Sequence, residues 1–235
     1  MNLGKLLINS LKSHQSSHRH ASFLKSIKSF VKVDKYVPPY VHLIQVGDPI
    51  LRTVSDPVPE DLITSKEITF LLNRLEQVRQ NYGLVGIAAP QIGINLRIIL
   101  ACFDKDNMKA FKPEIQKSKE MSLMPLTVFI NPDIKVLDHR KVIFEESCGS
   151  VTGYAADVPR PYSIEVTSFN EKGVKQTGQF SGWNARIIQH ENDHLNGILF
   201  TDLMDRKTLR CTNWEAVNRK AGKIEIPFYP KKIWD

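Results

Sequence analysis

The sequence has few cysteines, and their spacing gives no sign of a disulfide framework. Only three occur in 235 residues, at Cys102, Cys148 and Cys211, and no two of them form a C-x-x-C pair. An odd number of widely separated cysteines is typical of a reducing compartment rather than of a small secreted domain. We therefore expect the protein to fold in a reducing compartment.

Long apolar runs are also absent. No stretch reaches the roughly 18 consecutive apolar residues that a membrane-spanning helix needs, so we expect no membrane span. With 42% hydrophobic and 24% charged residues, the composition is that of an ordinary globular protein. A chain of 235 residues can bury a substantial core.

Acidic residues are missing from the first 33 positions. Six lysine or arginine residues lie there without a single aspartate or glutamate, so this segment carries six of the seven net positive charges. It also contains seven serines and one apolar helical face. This composition is typical of an organelle-targeting presequence, with a basic nucleic-acid-binding tail as the alternative. Because the rest of the chain is nearly neutral, we expect no direct contact with nucleic acid.

The most informative motif is QHENDHLNG at residues 189–197. His190 and His194 are four positions apart, so both imidazoles project from one face of a helix and can share a metal ion. Glu191 stands beside them, where its carboxylate suits a base acting on water at that metal. The spacing and the flanking cap residues predict a helix over residues 182–196.

A catalytic site of this kind needs a third protein ligand. The metzincin pattern would place a histidine where Phe200 stands, which excludes that class. Glu215 lies at a distance that a thermolysin-like site would tolerate. Cys148, in FEESCGSV, would instead give a thiolate and two imidazoles, which suit a borderline metal. Spacing alone leaves Glu215 and Cys148 both open.

Periodicity predicts a single α+β domain in which antiparallel sheets are packed around the central metal-binding helix. A capping box at Thr64 and Glu67 predicts a helix over residues 65–82. An apolar strand is expected at 96–103, and residues 104–125 are expected to form a surface insertion.

Further strands are predicted before and after the helix at residues 182–196. TVFINPDIKVL and KVIFEESCGSV are expected to be two strands joined by a turn at 138–140, and YSIEVTSF and VKQTGQF a hairpin joined by residues 170–173. GILFTDLM is expected to be another short strand, and residues 206–221 a terminal helix. In GIAAPQIG at 86–93, Pro90 excludes a central strand, and the Gln91 amide can serve an oxyanion.

Three ordered segments, GIAAPQIG at 86–93, EESCGSV at 145–151 and QHENDHLNG at 189–197, together resemble the three motifs of peptide deformylase. The similarity extends through VGDPILR, VFINP, VPR and GILF, and covers nearly all of residues 40–204. The long insertion and the basic leader are most similar to the animal mitochondrial branch. The resemblance implies hydrolysis of the N-formyl group from the initiator methionine of nascent polypeptides.

The resemblance also implies roles for single residues. Cys148, His190 and His194 would hold one divalent metal ion, Fe²⁺, Zn²⁺ or Co²⁺. Glu191 would be the general base and then the general acid, while the Gln91 amide and the backbone N–H of Gly149 would donate to the oxyanion. The expected substrate-binding residues are Gly86, Ile87, Trp183 and Ile187, and Arg160 is expected to pair with Glu146 as structural support behind the metal loop.

The resemblance further implies a mitochondrial presequence over residues 1–34, predicted to be disordered, and a catalytic domain over residues 35–235. The expected location is the mitochondrial matrix. The expected partners are N-formylmethionyl nascent peptides near the mitochondrial ribosome, and the expected assembly is a monomer or a homodimer.

Three positions depart from the family pattern: Leu84 replaces the first glycine of the first motif, Ser147 stands where a glycine is usual, and Gly149 stands where bacterial members usually have leucine. Two alternatives therefore stay open. One is a thermolysin-like metallopeptidase that uses Glu215, and the other is a low-turnover deformylase-like protein that binds nascent chains.

Overall fold

The computed structural model describes residues 37–229, so the predicted presequence lies outside the described residues. Within this range a single domain contains six strands that pair only in antiparallel fashion, which confirms the predicted fold class. The helices are α1 Lys66–Tyr82, α2 Lys105–Lys109, α3 Pro113–Ser118, α4 Gly182–Leu195, α5 Phe200–Leu203 and α6 Trp214–Arg219. The strands are β1 Gly86–Ala88, β2 Ile98–Phe103, β3 Met124–Cys148, β4 Val151–Phe169, β5 Lys175–Ser181 and β6 Arg210–Cys211.

Strands β1 to β5 follow one another in a single sheet, and β6 pairs with β4. We expected more than one sheet, but β3 is long enough to pair with β2 at its start and with β4 over most of its length. One sheet therefore packs against α4, which contacts β1, β2, β4 and β5. In the described part of the chain, no helix combines the length and the apolar character needed to cross a membrane.

Strand β2 is buried on both faces because a helix covers each of them. Ile98 and Leu100 face the core cluster that includes the apolar stripe of α1. Ile99, Ala101 and Phe103 face the other cluster, to which α4 contributes its apolar side. All six residues of β2 are buried, which explains why this segment is a continuous apolar run rather than an alternating one.

Helix α1 starts one residue later than the predicted capping box requires. Ser65, and not Thr64, is the N-cap, since its extended backbone lets its Oγ accept the N–H of Ile68 at 3.2 Å. The predicted Thr64 cap is therefore wrong. The helix ends at Gly83, whose φ of +65° is left-handed, as the sequence predicts.

The predicted turn at 138–140 is also wrong, because β3 continues through it as a strand. Asp138 accepts hydrogen bonds from the backbone N and the Nε of Arg140, and these contacts produce only a register shift against β4. The chain reverses instead between Cys148 and Val151, which face each other across a tight turn. The ribbon of β3 and β4 therefore carries Cys148 at its tip. The next hairpin, β4 to β5, is where it was expected.

Three other segments differ from prediction. GILFTDLM forms helix α5 instead of a strand, since the Asp202 carboxylate accepts the N–H of Leu199 and caps a helical turn. Residues 206–221 contain a 3-10 turn, β6 and the short α6 rather than one helix. The insertion forms α2 and α3, and its residues Met108, Phe111 and Met121 pack against the core instead of remaining on the surface.

Candidate metal and active site

The tip of the β3–β4 ribbon meets α4, and this contact assembles three potential metal ligands. His190 and His194 lie one turn apart with ring centroids 5.3 Å from each other, and Cys148 Sγ is 3.3 Å from His194 Nε2. One ligand atom from each of the three residues lies within 4.8 Å of the other two. Two imidazoles and a thiol at this spacing can hold one divalent ion.

A buried carboxylate orients the first of these histidines. Glu146 Oε2 is 2.9 Å from His190 Nδ1, which leaves His190 Nε2 available as a ligand. The other ring, that of His194, has its Nδ1 buried without a hydrogen-bond partner in residues 37–229. Burial holds the pKa of His194 well below its ordinary value, which favours the neutral form that binds metals. The donor set therefore fits a metal ion.

Glu146 is itself held by two arginines. Its carboxylate accepts Arg160 Nε at 2.6 Å, Arg160 Nη2 at 2.8 Å and Arg186 Nη1 at 2.6 Å. Burial alone would raise the pKa of Glu146, but the hydrogen bonds from Arg160 and His190 hold it well below its usual range. Arg160 also donates to Asp193 at 2.7 Å. An ionic cluster thus connects the ribbon to α4 behind the three potential metal ligands.

Glu191 has the environment of a proton-transfer group. Its side chain is buried, and Oε2 has no hydrogen-bond partner within the described chain. Burial raises the pKa of Glu191 to about 7, against the opposing effect of the His190 and Arg160 charges. The carboxylate also lies directly over Gly86, because a Cβ at Gly86 would overlap Glu191 Oε1.

On the other side of the cysteine, Gln91 presents a fixed amide. Its Oε1 accepts the N–H of Ala88 at 2.9 Å, and its Nε2 lies 3.2 Å from Ser150 Oγ and 3.6 Å from Cys148 Sγ. The backbone of Gly149 is positioned as well, since its carbonyl accepts Gln45 Nε2 at 2.9 Å. Two potential oxyanion donors therefore lie beside the ligand cluster.

A cleft of about 300 Å³ opens over these groups. Among the residues expected to bind substrate, Gly86, Trp183 and Ile187 line the cleft. Ile87 does not, because its side chain is fully buried in the α1 cluster. A strand residue next to a lining residue points to the opposite face of the sheet, which is the physical reason. The cleft also includes Cys148, His190, Glu191 and Gln91.

Glu215 is not part of this site. It lies exposed on α6 and lines a separate surface depression with Arg210 and Arg219. Within residues 37–229, the only group of three His, Cys, Asp or Glu side chains that could hold a metal is the one formed by Cys148, His190 and His194. The geometry therefore gives no support to a thermolysin-like ligand set.

Sequence reasoning missed several residues of the site. Arg186 is one turn before His190, and its charge on an otherwise apolar face was the available signal. No feature of the sequence pointed to Leu43. In the structure, a Cβ on Gly149 would overlap Leu43 Cδ1 and lie 3.5 Å from Leu84 Cδ2. Leu43 therefore fills the space that a side chain at position 149 would need, whereas Leu84 lies at ordinary contact distance from that position.

Comparisons with known proteins agree with this geometry. A family model described as polypeptide deformylase matches residues 40–210. The chain is 40% identical over 181 residues to human "Peptide deformylase, mitochondrial". The aligned region covers 77% of this chain and 74% of that protein. The chain is 37% identical over 169 residues to tomato (Solanum lycopersicum) "Peptide deformylase 1A, chloroplastic", covering 72% of this chain and 61% of that protein.

A solved structure shows the same fold. The Met-Ala-Ser-bound class I type b peptide deformylase from Acinetobacter baumannii superposes with a TM-score of 0.62 at 30% sequence identity. The superposition covers 69% of this chain and 96% of that one. Nearly the whole bacterial fold is therefore contained in this chain.

Proposed function

The chain belongs to the polypeptide deformylase family, and on this premise we propose that it hydrolyses the N-formyl group of formylmethionyl N-termini on nascent polypeptides. The observation that carries the proposal is the grouping of Cys148, His190 and His194 within 4.8 Å of one another, in a cleft lined by Cys148, His190 and the buried Glu191. The products are formate and a free α-amino group.

In this proposal Cys148, His190 and His194 hold one divalent ion, which is Fe²⁺, Zn²⁺ or Co²⁺. When bound, such an ion supplies Lewis acidity to the formyl carbonyl and to water. Glu146 keeps His190 in the orientation for ligation through the contact with its Nδ1.

Glu191 moves the proton. It takes a proton from the attacking water and returns it to the nitrogen that leaves as the amine. A carboxyl with a pKa of about 7 is suited to both steps near neutral pH, because it exchanges protons in either direction at little cost.

Gln91 and Gly149 stabilise the charge that develops on the formyl oxygen. The Gln91 amide is already held by Ala88 before substrate binds, so little reorganisation is needed in the transition state. The methionine side chain extends along the wall formed by Ile187 and Trp183, with Gly86 beside it.

We propose that the protein acts in the mitochondrial matrix, on chains near the mitochondrial ribosome. Two observations support this location: the human relative is mitochondrial, and the first 33 residues have the composition of a presequence.

The direct test is formate release from formyl-Met-Ala-Ser by the chain loaded anaerobically with Fe²⁺, Co²⁺ or Zn²⁺. We expect turnover that falls at least about 100-fold in Glu191→Ala, because general acid-base catalysis contributes on the order of 10²–10⁴-fold. Glu171→Ala, at an exposed turn, is the matched control and should keep its rate. Folded, metal-loaded protein that binds the peptide but releases no formate would instead favour the binding-only alternative.

A further inference from the structure

The insertion between β2 and β3 forms part of the cleft wall. The side chain of Gln116 holds its fold by donating to the Phe111 carbonyl at 2.8 Å, and Asn184 of α4 donates to Ser122 at 2.9 Å. Two insertion residues, Phe111 and Lys119, line the cleft together with Trp183 and Ile187 of α4. The insertion therefore brings a second positive charge into the cleft, beside Arg186, whose own N–H groups are already bonded to Glu146, Val158 and Val142.

The Lys119 ammonium lies among three aromatic rings. Its Nζ is 4.6 Å from the ring centroid of Trp183, 5.4 Å from that of Phe144 and 6.0 Å from that of Phe111. Contacts at this range attract a cation to the ring face. Burial lowers the pKa of Lys119, with Glu145 acting in the opposite direction.

This ammonium lacks an acceptor in the described chain. Residues 37–229 provide no carboxylate within 4.0 Å of Lys119 Nζ and no hydrogen-bond acceptor for it. The rings fix its position but accept no conventional hydrogen bond. Its N–H groups are thus available to a molecule that enters the cleft.

The position along α4 indicates which part of a substrate would reach it. Trp183 precedes His190 by seven residues, which places it about 10 Å along the helix axis from the metal ligands. Ile187 lies between them on the same cleft wall. A substrate whose formyl group is at the metal ligands would therefore direct the tip of its first side chain towards Trp183 and Lys119.

We infer that Lys119 is a specificity-determining residue, whose ammonium donates a hydrogen bond to the thioether sulfur of the first residue of the substrate. The inference rests on the proposed deformylase function. A thioether is a weak acceptor, whereas a hydrocarbon of the same length accepts nothing and would leave the ammonium both desolvated and unpaired. The pocket should therefore discriminate methionine from norleucine, which replaces the sulfur with a methylene group.

The test compares kcat/KM for formyl-Met-Ala-Ser and formyl-norleucyl-Ala-Ser. For the unmodified chain we expect a preference for methionine of about 3- to 10-fold, as a single modest hydrogen bond would give. Lys119→Met keeps the length of the side chain but removes the charge, and it should bring the ratio to about 1. Lys119→Arg should retain the preference, and Lys117→Met, on the exposed side of α3, is the matched control that should not change it.

Two results would overturn the inference while leaving the deformylase function intact. One is an unmodified chain that hydrolyses formyl-norleucyl peptide as fast as formyl-Met peptide, a measurement that does not depend on the folding of any variant. The other is a folded Lys119→Met chain with an unaltered ratio. Absence of formate release from both peptides by the unmodified, metal-loaded chain would overturn the deformylase function, and the inference with it.

Discussion

Gln91 is positioned by protein contacts alone, and this gives a test of its role. Replacing it with leucine (Gln91→Leu) removes the amide donor beside Cys148, and we expect kcat to fall by about 10²–10³, the usual cost of one oxyanion donor. The metal content should not change, because Gln91 is not one of the three ligands. Steady-state kinetics and metal analysis of the same sample check both statements.

Gln179→Leu is the control for this variant, since Gln179 is exposed on β5 and donates to Glu165. It should keep the full rate. A Gln91→Leu chain that retains its metal and turns over within threefold of the unmodified chain would exclude Gln91 as an oxyanion donor.

Glu146 gives a second test at the residue scale, this time of stability. Glu146→Ala leaves Arg160 and Arg186 buried without their main counter-charge, and we expect the free energy of unfolding to fall by about 3–5 kcal/mol. Glu145→Ala, one position away, removes only a partly exposed pair with Arg210 and should cost at most about 1 kcal/mol. Urea unfolding of both variants measures the difference, and equal losses would contradict the assigned role of the buried cluster.

At the same scale, spacing predicted part of the site and not the rest. The i, i+4 interval identified His190 and His194, because a helix alone determines which of its residues share a face. Choosing Cys148 over Glu215 required either the family resemblance or the folded chain, since both lie far from the histidines in sequence. Lys119 could not be predicted, because its place in the cleft depends on how the insertion folds back onto α4.

At the scale of single elements, strong periodic patterns were predicted well and local turn signals poorly. The apolar stripes of α1 and α4 predicted both helices within one or two residues, although the Ser181 side chain makes no capping hydrogen bond at the start of α4. At Asp138–Arg140 the Asp138 side chain accepts hydrogen bonds from Arg140, yet long pairing with β4 on both sides keeps the chain extended and no turn forms. Local sequence cannot show which of these two effects is stronger, because the pairing partner is distant in the chain.

The end of α4 provides the prediction at this scale. Gly197 has a φ of +70°, and a Cβ there would lie 2.7 Å from the backbone carbonyl carbon and oxygen of Arg52. Gly197→Ala should therefore destabilise the protein by more than the roughly 1–2 kcal/mol that a left-handed conformation costs, because the backbone of the neighbouring turn must also move.

Gly83→Ala isolates the conformational part of that cost. Gly83 has a similar φ of +65°, but a Cβ there would meet nothing within 4 Å. Thermal unfolding of the two variants should show a larger fall in Tm for Gly197→Ala. Equal falls would mean that the contact with Arg52 contributes nothing.

At the scale of the whole molecule, a metal ion at the candidate site would join the ribbon to the central helix. If the ion is present at about 100 times its Kd, it stabilises the folded state by about 2.7 kcal/mol. For a domain of this size, chelation should then lower Tm by about 5–10 °C. Differential scanning calorimetry with and without chelator measures this change in Tm.

Two substitutions distinguish the ligand sets in the same experiment. Cys148→Ala should lower Tm and lose its response to chelator, because a ligand is gone. Glu215→Ala should keep both the response and the metal. The reverse pattern would restore the thermolysin-like alternative.

The ribbon also has a consequence for the order in which the chain matures during synthesis. Its pairs begin at Cys148 and Val151, three residues apart, and extend to Ile130 and Phe169, so it can close progressively from its tip. All of it has been synthesised before the two histidines of α4 are made. We therefore expect the thiol to be positioned first and metal capture to be the last step of maturation. Released chains ending at residue 189 should show ribbon protection in hydrogen exchange without retaining metal, and unprotected ribbon amides in such chains would contradict this order.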